Sequence, residues 1–541
     1  MYLDDFEDTS SEHPSEMDTD GSEDNESESR SDQDDEGDGS GSKSDEDGED
    51  GSGSDENNSE GDEYSEDDSG DDDGDSEDDE GGNEAALQSS LVYNCPWTTD
   101  FHPPPARAFH KSRKCVGVSS SSPIQTFRRL FCDQVFNLIL EQTNIYERQK
   151  YAKARDAKPG IDITRSELEK FIGVNIIMGY CRHPSIDSYW STDESFRNER
   201  ISKSMPCKTF KRILGNLHLV DNQHSEKQNE YASNKLYKVS NFLELLKRNF
   251  QRHFDPGEKL TIDEMMIKFK GRSSLKQYIK QKPIKRGYKV WIPDTLTGYV
   301  YNFDIYSGKS EERRTPLGEH VVGSLTKELS TKFHHVYFDN FFTLPFLVEK
   351  LLRDGIYCTG TLRSTRKGIP ADIIHKTKMS RGDAKYLSVG SISIVKWMDR
   401  KPVLMMSNVT DPGTMTSISR KSKNGKVIQL QCPVMVQDYN FGKVGVDRVD
   451  QRIQYYAVDR KSRRNWLRIF FHFLNVALSN AFVLYCRDHP DENMRYLEFV
   501  ANIAEELIGR NSSVKRKNGR PPHLEEGVPI AVRKVNHKDL R

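Results

Sequence analysis

In Lys259-Leu-Thr-Ile-Asp-Glu-Met-Met-Ile-Lys-Phe-Lys270 the spacing of apolar residues differs from that in the segments before it. Apolar and charged residues alternate along this short run, which indicates a β-strand. The preceding segments carry apolar residues at helical spacing instead, and Asp255-Pro256-Gly257 ends the last of them. The chain is therefore predicted to change here from helices to a sheet.

More strand-like runs follow, at residues 288–293, 299–306, 334–338 and 356–362. Residues 343–355 are predicted to form a helix between the last two, which Pro345 can begin and Gly355 can end. Residues 366–433 are rich in Lys, Arg and Ser with short β-like pieces, and we predict a β-rich insertion there.

Three further patterns predict helices. Residues 124–146 place apolar side chains at helical spacing, and Ser166 with Glu169 resembles a capping box that begins a helix running to Tyr180. The longest uncharged run, residues 469–486, carries a polar stripe made of Arg468, His472, Asn475 and Ser479. A bilayer-spanning helix rarely carries such a stripe, so we expect a buried amphipathic helix and no transmembrane segment.

Charge divides the chain into two parts. The 541 residues have a formal net charge of −7, but residues 1–90 hold 39 acidic and two basic side chains. Residues 91–541 hold 76 basic and 46 acidic side chains, a net charge of +30. The acidic part has too few apolar side chains to form a core, so we expect it to be disordered. Its acidic start excludes a signal peptide, and eight scattered cysteines suit a reducing compartment.

Four aspartates are candidates for chemistry. Asp263 lies in the first predicted strand, and Asp339 lies at the C-terminal end of the fourth. Asp447 and Asp450 share one face if their segment is helical. Carboxylates at the ends of adjacent strands, faced by a helix, can hold two Mg²⁺ ions about 4 Å apart for phosphodiester chemistry. Aspartates at strand ends are more often turn or cap residues, so spacing alone favours that simpler role.

Several longer strings resemble the piggyBac transposase family. They are Leu-Thr-Ile-Asp-Glu (260–264), Phe-Asp-Asn-Phe-Phe-Thr (338–343), Gly-Thr-Leu-Arg-Ser (360–364), Tyr-Asn-X-Gly-Lys-Val-Gly-Val-Asp-X-X-Asp-Gln (439–451) and Arg-Lys-Ser-X-Arg-X-Trp (460–466). Their order and spacing are those of the family, over most of residues 124–510. The resemblance implies an RNase H-like α/β catalytic core, interrupted by a β-rich insertion and flanked by helical dimerisation and DNA-binding segments.

The resemblance also implies the chemistry. Three family aspartates that hold Mg²⁺ or Mn²⁺ match Asp263, Asp339 and Asp447, and a fourth matches Asp450. Family members cut double-stranded DNA at transposon ends, pass through hairpin intermediates and insert at TTAA. They usually end in a cysteine-rich zinc-binding module that recognises terminal repeats, whereas no cysteine follows Cys486 here. We therefore expect the catalytic aspartates to be present and the zinc module to be missing.

The predicted domain organisation follows from these patterns and the resemblance. It comprises a disordered acidic tail (1–90), a linker (91–122), a helical dimerisation and DNA-binding domain in two parts (123–257 and 458–510), a catalytic core in two parts (258–365 and 434–457), an insertion domain (366–433) and a basic tail (511–541).

Three basic clusters are predicted to bind DNA phosphates, because charge this uneven attracts a polyanion. The first cluster contains Lys276, Lys280, Lys282, Lys285 and Arg286, the second contains Arg363, Arg366 and Lys367, and the third contains Arg460, Lys461, Arg463 and Arg464. The simpler alternative is an ordinary solvated surface. Trp466 matches an aromatic residue of the family's DNA-facing segment; from the sequence alone, it either stacks on an unpaired base or anchors the following helix.

Two functions remain open from the sequence. The first is a metal-dependent transposase that cuts and joins DNA strands. The second is a host-adopted nuclear protein that binds DNA or chromatin without transposition activity. The intact aspartates favour the first, and the missing module favours the second. The expected partners are double-stranded DNA, a second copy in a homodimer and an acid-directed kinase acting on residues 1–90, with residues 515–522 resembling a nuclear-import signal or an AT-hook.

Overall fold

The described part of the chain begins with helices. The computed structural model describes residues 89–110, 122–153, 161–222, 234–280, 282–308, 315–375, 378–422, 425–458, 462 and 464–509. The helices that precede the first strand are α1 (Leu91–Asn94), α2 (Pro123–Leu130), α3 (Asp133–Lys153), α4 (Arg165–Tyr180), α5 (Glu199–Ser204), α6 (Cys207–Asn216) and α7 (Ser240–His253).

Strands and connecting helices make up the middle of the chain. The strands are β1 (Lys259–Lys268), β2 (Gln277–Tyr278), β3 (Arg286–Thr295), β4 (Asp304–Ile305), β5 (His335–Phe338), β6 (Tyr357–Thr361), β7 (Ala384–Val389), β8 (Ile392–Met398), β9 (Pro402–Ser407), β10 (Met415–Lys421) and β11 (Val427–Pro433). The helices within and after this part are α8 (Leu317–Thr326), α9 (Pro345–Arg353), α10 (Ala371–Ile374), α11 (Val434–Gly442), α12 (Gly445–Tyr455), α13 (Asn465–Asp488) and α14 (Tyr496–Leu507).

One mixed sheet, in the order β2-β3-β1-β5-β6-β9-β8-β7 with β4 beside β3, forms the centre of the described structure. β1 pairs antiparallel with β3 and parallel with β5, and β5 pairs parallel with β6. Parallel neighbours need crossover connections, and α8 and α9 lie in those two connections. All four residues of β5 are buried, as expected of a strand covered on both faces. The predicted α/β core is confirmed.

The segment predicted as an insertion continues this sheet. Thr359, Gly360 and Thr361 of β6 pair antiparallel with Ser407, Met406 and Met405 of β9. β8 and β7 then extend the sheet outward. β10 and β11 form a hairpin apart from it. The β-rich character of residues 366–433 is therefore as predicted, but three of their strands share the backbone hydrogen bonding of the central sheet.

Two predicted helix boundaries were wrong. Residues 124–146 form two helices rather than one, because the chain breaks after Leu130, whose carbonyl accepts a hydrogen bond from Asn249 Nδ2 at 2.9 Å. The capping box of α4 lies two residues earlier than predicted. The Thr164 hydroxyl accepts a hydrogen bond from the Glu167 amide at 3.2 Å, and Glu167 Oε2 accepts a hydrogen bond from the Thr164 amide at 2.9 Å.

The helix α13 runs through the interior of the protein. It is long and apolar enough to span a membrane, yet 83% of its most apolar 18-residue window is buried against protein. Its polar stripe is also bonded to protein: Arg468 donates to the Lys268 carbonyl, and His472 lies 3.2 Å from the Met265 sulfur. Asn475 Oδ1 accepts from the Val458 amide at 3.0 Å. The stripe therefore fixes α13 against β1 and the segment that follows α12.

Candidate active site

The parallel pairing of β1 and β5 places two of the predicted aspartates side by side. Ile262 pairs with Phe338, and Asp263 and Asp339 each come directly after one of these residues. The carboxylate of Asp339 accepts a hydrogen bond from the Phe341 amide at 3.0 Å, which fixes it at the start of the loop after β5. Both side chains are half-buried. The central sheet thus presents a carboxylate pair where β5 ends.

Burial and neighbouring carboxylates raise the pKa of both members of this pair, in spite of nearby lysines. Burial and the nearby Glu264 and Asp339 carboxylates together raise the pKa of Asp263 to about 7, against the opposing effect of the Lys282 ammonium. Burial and Glu264 raise the pKa of Asp339 to about 6, although Lys282 and Lys289 lower it. Buried carboxylates that repel one another favour either a proton or a bound cation. Oxygen donors of this kind are the ligands that hard divalent ions such as Mg²⁺ prefer, so these residues fit a metal ion.

The helix α12 brings the other two aspartates to the same region, because it packs against β1 and β3. Burial raises the pKa of Asp450 to about 6, and the Lys282 ammonium lowers it, so Asp450 shares a charged neighbour with Asp263 and Asp339. Asp447 is exposed in the first turn of α12. As the side chains stand, no group of three or more His, Cys, Asp or Glu residues in the described ranges is close enough to hold a metal ion.

Lys282 and Glu264 join the aspartates, and Glu264 was missed from the sequence. Lys282 Nζ lies 3.1 Å from Glu264 Oε1, and the Glu264 side chain is only 11% exposed. The other Glu264 oxygen is buried without a hydrogen-bond partner. Lys282, which we predicted to contact DNA, thus lies beside the carboxylates. The only sequence signal for Glu264 was its position next to Asp263, and strand alternation predicts that the two side chains point to opposite faces.

The second basic cluster has divided roles. Arg366 is buried, and its Nη2 donates to the carbonyls of Asn340 at 3.1 Å and Phe341 at 2.9 Å. Arg363 Nε donates to Asn340 Oδ1 at 3.0 Å. These two arginines, predicted to contact DNA, therefore hold the loop that follows Asp339. Lys367 is exposed and accessible to a polyanion.

The first basic cluster surrounds an exposed aromatic residue that sequence reasoning did not select. Lys280, Lys285 and Arg286 are exposed, and Lys276 Nζ donates to the Gly271 carbonyl at 2.9 Å. Tyr278 pairs with Arg286 across β2 and β3, is 61% exposed, and has the Arg286 guanidinium 5.4 Å from its ring centroid. This arrangement combines cationic groups with an aromatic face, the combination that binds a nucleic-acid strand.

The third basic cluster is described only in part, since Arg460, Lys461 and Arg463 lie outside the described residues. Arg464 donates to the carbonyls of Gly215 and Leu217 at 3.3 Å each. Trp466 is 5% exposed and packs 5.6 Å from the His218 ring. In this conformation the Trp466 indole anchors the start of α13 to the segment that follows α6. This is the simpler of the two roles considered for Trp466.

A buried carboxyl lies beneath the start of α12. Asp294 of β3 is fully buried, and a Cβ atom added to Gly445 would approach its Cγ to 3.3 Å. Burial raises the pKa of Asp294 to about 8, although the guanidinium groups of Arg452 and Arg448 and the Thr295 amide lower it. Asp294 is therefore expected to be protonated in the folded protein at neutral pH.

The Asp294 carboxyl should make stability depend on pH. The folded protein keeps this proton up to about pH 8, whereas the unfolded chain loses it near the ordinary value of 3.8. Its contribution to the free energy of unfolding is therefore complete below about pH 4 and falls as the pH rises to about 8. The Asp294→Asn variant should lose that slope. Urea unfolding of both proteins across this range measures the difference, and parallel pH profiles would contradict the assignment.

Comparison with known proteins agrees with this architecture. The family model described as Transposase IS4 matches residues 122–482. PiggyBac transposable element-derived protein 3 of Homo sapiens is 30% identical over 392 residues, which cover 70% of this chain and 63% of that protein. PiggyBac transposable element-derived protein 2 of Homo sapiens is 27% identical over 413 residues, 74% of this chain and 68% of that protein. The chain thus spans less than two thirds of the first of these relatives.

A solved structure shares the fold. The cryo-EM structure of a piggyBac transposase synaptic complex with hairpin DNA superimposes with a TM-score of 0.65 at 24% identity, over 74% of this chain and 83% of that one. The fold and the family match define a transposase-type protein. The chain belongs to the piggyBac family, which includes both transposases and transposable element-derived proteins.

Proposed function

We propose that this protein is a metal-dependent DNA transposase that cleaves strands and transfers them at TTAA sites. The observation that carries the proposal is the Asp263–Asp339 pair on adjacent parallel strands, with Asp450 on the helix that packs beside it. Double-stranded DNA is the proposed substrate, Mg²⁺ or Mn²⁺ the proposed cofactor, and the nucleus the proposed compartment. A homodimer, and an acid-directed kinase acting on residues 1–90, belong to the same proposal.

The contacts of each residue suggest its role in the proposed reaction. Asp263 and Asp339 would hold the metal, with Asp447 and Asp450 supplying further oxygen ligands. A bound divalent ion lowers the pKa of water and stabilises the leaving oxygen of a phosphodiester. Arg366 holds the loop after Asp339 through two backbone carbonyls. The exposed Lys280, Lys285, Arg286 and Lys367 are positioned to bind phosphates.

A second candidate function is DNA binding without cleavage. The exposed position of Asp447 favours it, because the described side chains do not converge on three metal ligands as they stand. The basic surface around Tyr278 would serve either function.

Strand cleavage separates the two candidates. Purified protein is incubated with Mg²⁺ or Mn²⁺ and either a duplex that contains TTAA between inverted repeats or the same duplex with TTAA scrambled. Metal-dependent cuts at TTAA alone support the transposase. Firm binding of both duplexes without any cut supports the binding protein, and failure to bind either duplex rejects both functions.

Two neighbouring cations should respond differently in this assay. Arg366→Met removes both bonds to the loop after Asp339, so we expect cleavage to fall about ten- to a hundredfold while DNA affinity stays unchanged, because a small displacement of a catalytic group is costly. Lys367→Met removes an exposed charge, so we expect weaker, less salt-dependent binding. Equal losses of affinity in both variants would show that Arg366 contacts DNA instead.

A further inference from the structure

A basic cavity of about 790 Å³ lies where the helical segments meet the end of β1. Its cationic lining residues are Arg182, Lys268, Lys270, Arg464 and Arg468. Within the described ranges no aspartate or glutamate lines it. A concave surface with cations and no carboxylate concentrates positive potential, so the cavity is built for an anionic ligand.

Two of the guanidinium groups are held in place by neutral partners. Arg464 donates to the carbonyls of Gly215 and Leu217, and Arg468 Nη2 donates to the Lys268 carbonyl at 2.7 Å. These carbonyls orient the guanidinium planes without neutralising their charge. Fixed guanidinium groups suit phosphate better than a mobile ammonium does, because their donors are already arranged in a plane.

The rest of the wall is suited to an apolar, flat group. Apolar side chains cover much of it, including Met178, Ile186, Leu214, Phe269 and Leu467. On the same wall the Tyr189 and His183 rings stack 4.3 Å apart. The volume is within the range of pockets that bind small ligands, and it exceeds the needs of an inorganic phosphate. A ligand that joins a phosphate to an aromatic ring satisfies both parts of the lining.

The cavity also lies near residues of the proposed DNA-binding surface. Lys268, the last residue of β1, comes five residues after Asp263. Five residues of extended strand separate the two by roughly 17 Å. Five stacked base pairs of DNA have about the same length. Lys270 leads into the basic segment around Tyr278, and Arg464 belongs to the third basic cluster. Among the described residues, one predicted DNA-binding cluster therefore reaches this opening through Arg464, and Lys270 connects the opening along the chain to another.

From the cavity's charge, apolar wall and position we infer that it receives one unpaired nucleotide of the bound DNA strand, a few base pairs from the carboxylates. The inference rests on the proposed function, since it requires a DNA substrate. The guanidinium groups would hold the phosphate, and the apolar wall would cover the base. Stacking of an extruded base on aromatic and apolar side chains offsets the energy lost when it leaves the duplex.

Binding of two duplexes tests the inference. One duplex contains TTAA and is fully paired; the other carries a single unpaired nucleotide five base pairs from TTAA. Fluorescence anisotropy of the full-length protein at one fixed salt concentration should give about tenfold tighter binding of the second duplex, the gain expected from stacking one base. The fluorescence of a 2-aminopurine placed at the unpaired position reports whether that base enters a protein environment.

Two independent variants probe the cavity. Ser185→Trp fills it with a large side chain from its exposed rim, and Lys270→Glu reverses a rim charge. Both should abolish the preference for the unpaired nucleotide while the fully paired duplex still binds. Lys385→Glu, the same charge change on exposed β7, should keep the preference.

The remaining outcomes overturn the inference in distinguishable ways. Equal affinity of the wild-type protein for the two duplexes, or a preference that survives Ser185→Trp, rejects the cavity as the binding site while leaving the proposed function intact. Failure to bind either duplex rejects the proposed function and this inference together.

Discussion

Replacing Asp339 by asparagine is expected to reduce metal-dependent strand cleavage at least about a thousandfold, since metal stabilisation of a phosphodiester transition state contributes several kcal/mol. The asparagine side-chain oxygen can still accept the hydrogen bond from the Phe341 amide, so the loop after β5 should keep its conformation. The substitution therefore removes one negative charge beside Asp263 and little else. Gel analysis of end-labelled duplex under single-turnover conditions measures the rate.

The matched control is Asp491→Asn, which removes an exposed carboxylate from the segment between α13 and α14. It should leave cleavage unchanged, and both variants should bind the duplex as the wild-type protein does. If Asp339→Asn retained cleavage within a few-fold of wild type, Asp339 would not hold the metal. A parallel loss of DNA affinity would instead indicate that Asp339 organises the DNA-binding surface.

The Gly445→Ala variant should lose about 2 kcal/mol or more of unfolding free energy, as expected when an atom is forced into a closely packed contact. A Cβ atom at this position would lie 2.5 Å from the Thr295 carbonyl oxygen and 3.3 Å from Asp294 Cγ. The first contact is with backbone, so the start of α12 must shift away from β3. Asp447 and Asp450 belong to the same helix and would be displaced with it. The rate of cleavage should therefore fall together with the free energy of unfolding.

Gly215→Ala provides the comparison for the same chemical change. Gly215 lies in α6, and a Cβ atom there would meet nothing within 4 Å. Alanine is the better helix former, so this variant should be about 0.5 to 1 kcal/mol more stable. Thermal unfolding of the two variants and the wild-type protein measures the contrast. Equal unfolding midpoints for Gly445→Ala and wild type would show that α12 is not closely packed on β3.

The strands that carry the central part of the candidate site could be predicted from local pattern, whereas the metal-binding role of their aspartates came from the resemblance to the piggyBac family. Alternation along residues 259–270 and the apolar run before Asp339 identify the two strands. Their parallel pairing requires the crossover that contains α8, a helix that was not predicted. The two aspartates then become neighbours by register. Gly355, predicted to end a helix, has a φ of +69° just after α9, as expected of a glycine in that position.

The other features depend on contacts between distant residues, so no local pattern revealed them. Arg366 resembles any exposed cation in the sequence, and only the fold places it against the loop after Asp339. Lys282 lies beside Glu264 for the same reason. The capping box was misplaced because two overlapping Ser/Thr-X-X-Glu patterns, Thr164 with Glu167 and Ser166 with Glu169, are equally good in sequence.

The position of β1 between β3 and β5 has a consequence for the timing of assembly. Under the proposed function, the carboxylate set draws on positions 263, 339, 447 and 450, so it exists only after β1, β5 and α12 have been synthesised and brought together. Contacts between residues so far apart form late and slowly. A nascent chain that ends before Gly445 carries the Asp263–Asp339 pair without its helix. Under the proposed function, the late position of α12 in the sequence would delay the capacity to cut DNA until most of the polypeptide has left the ribosome.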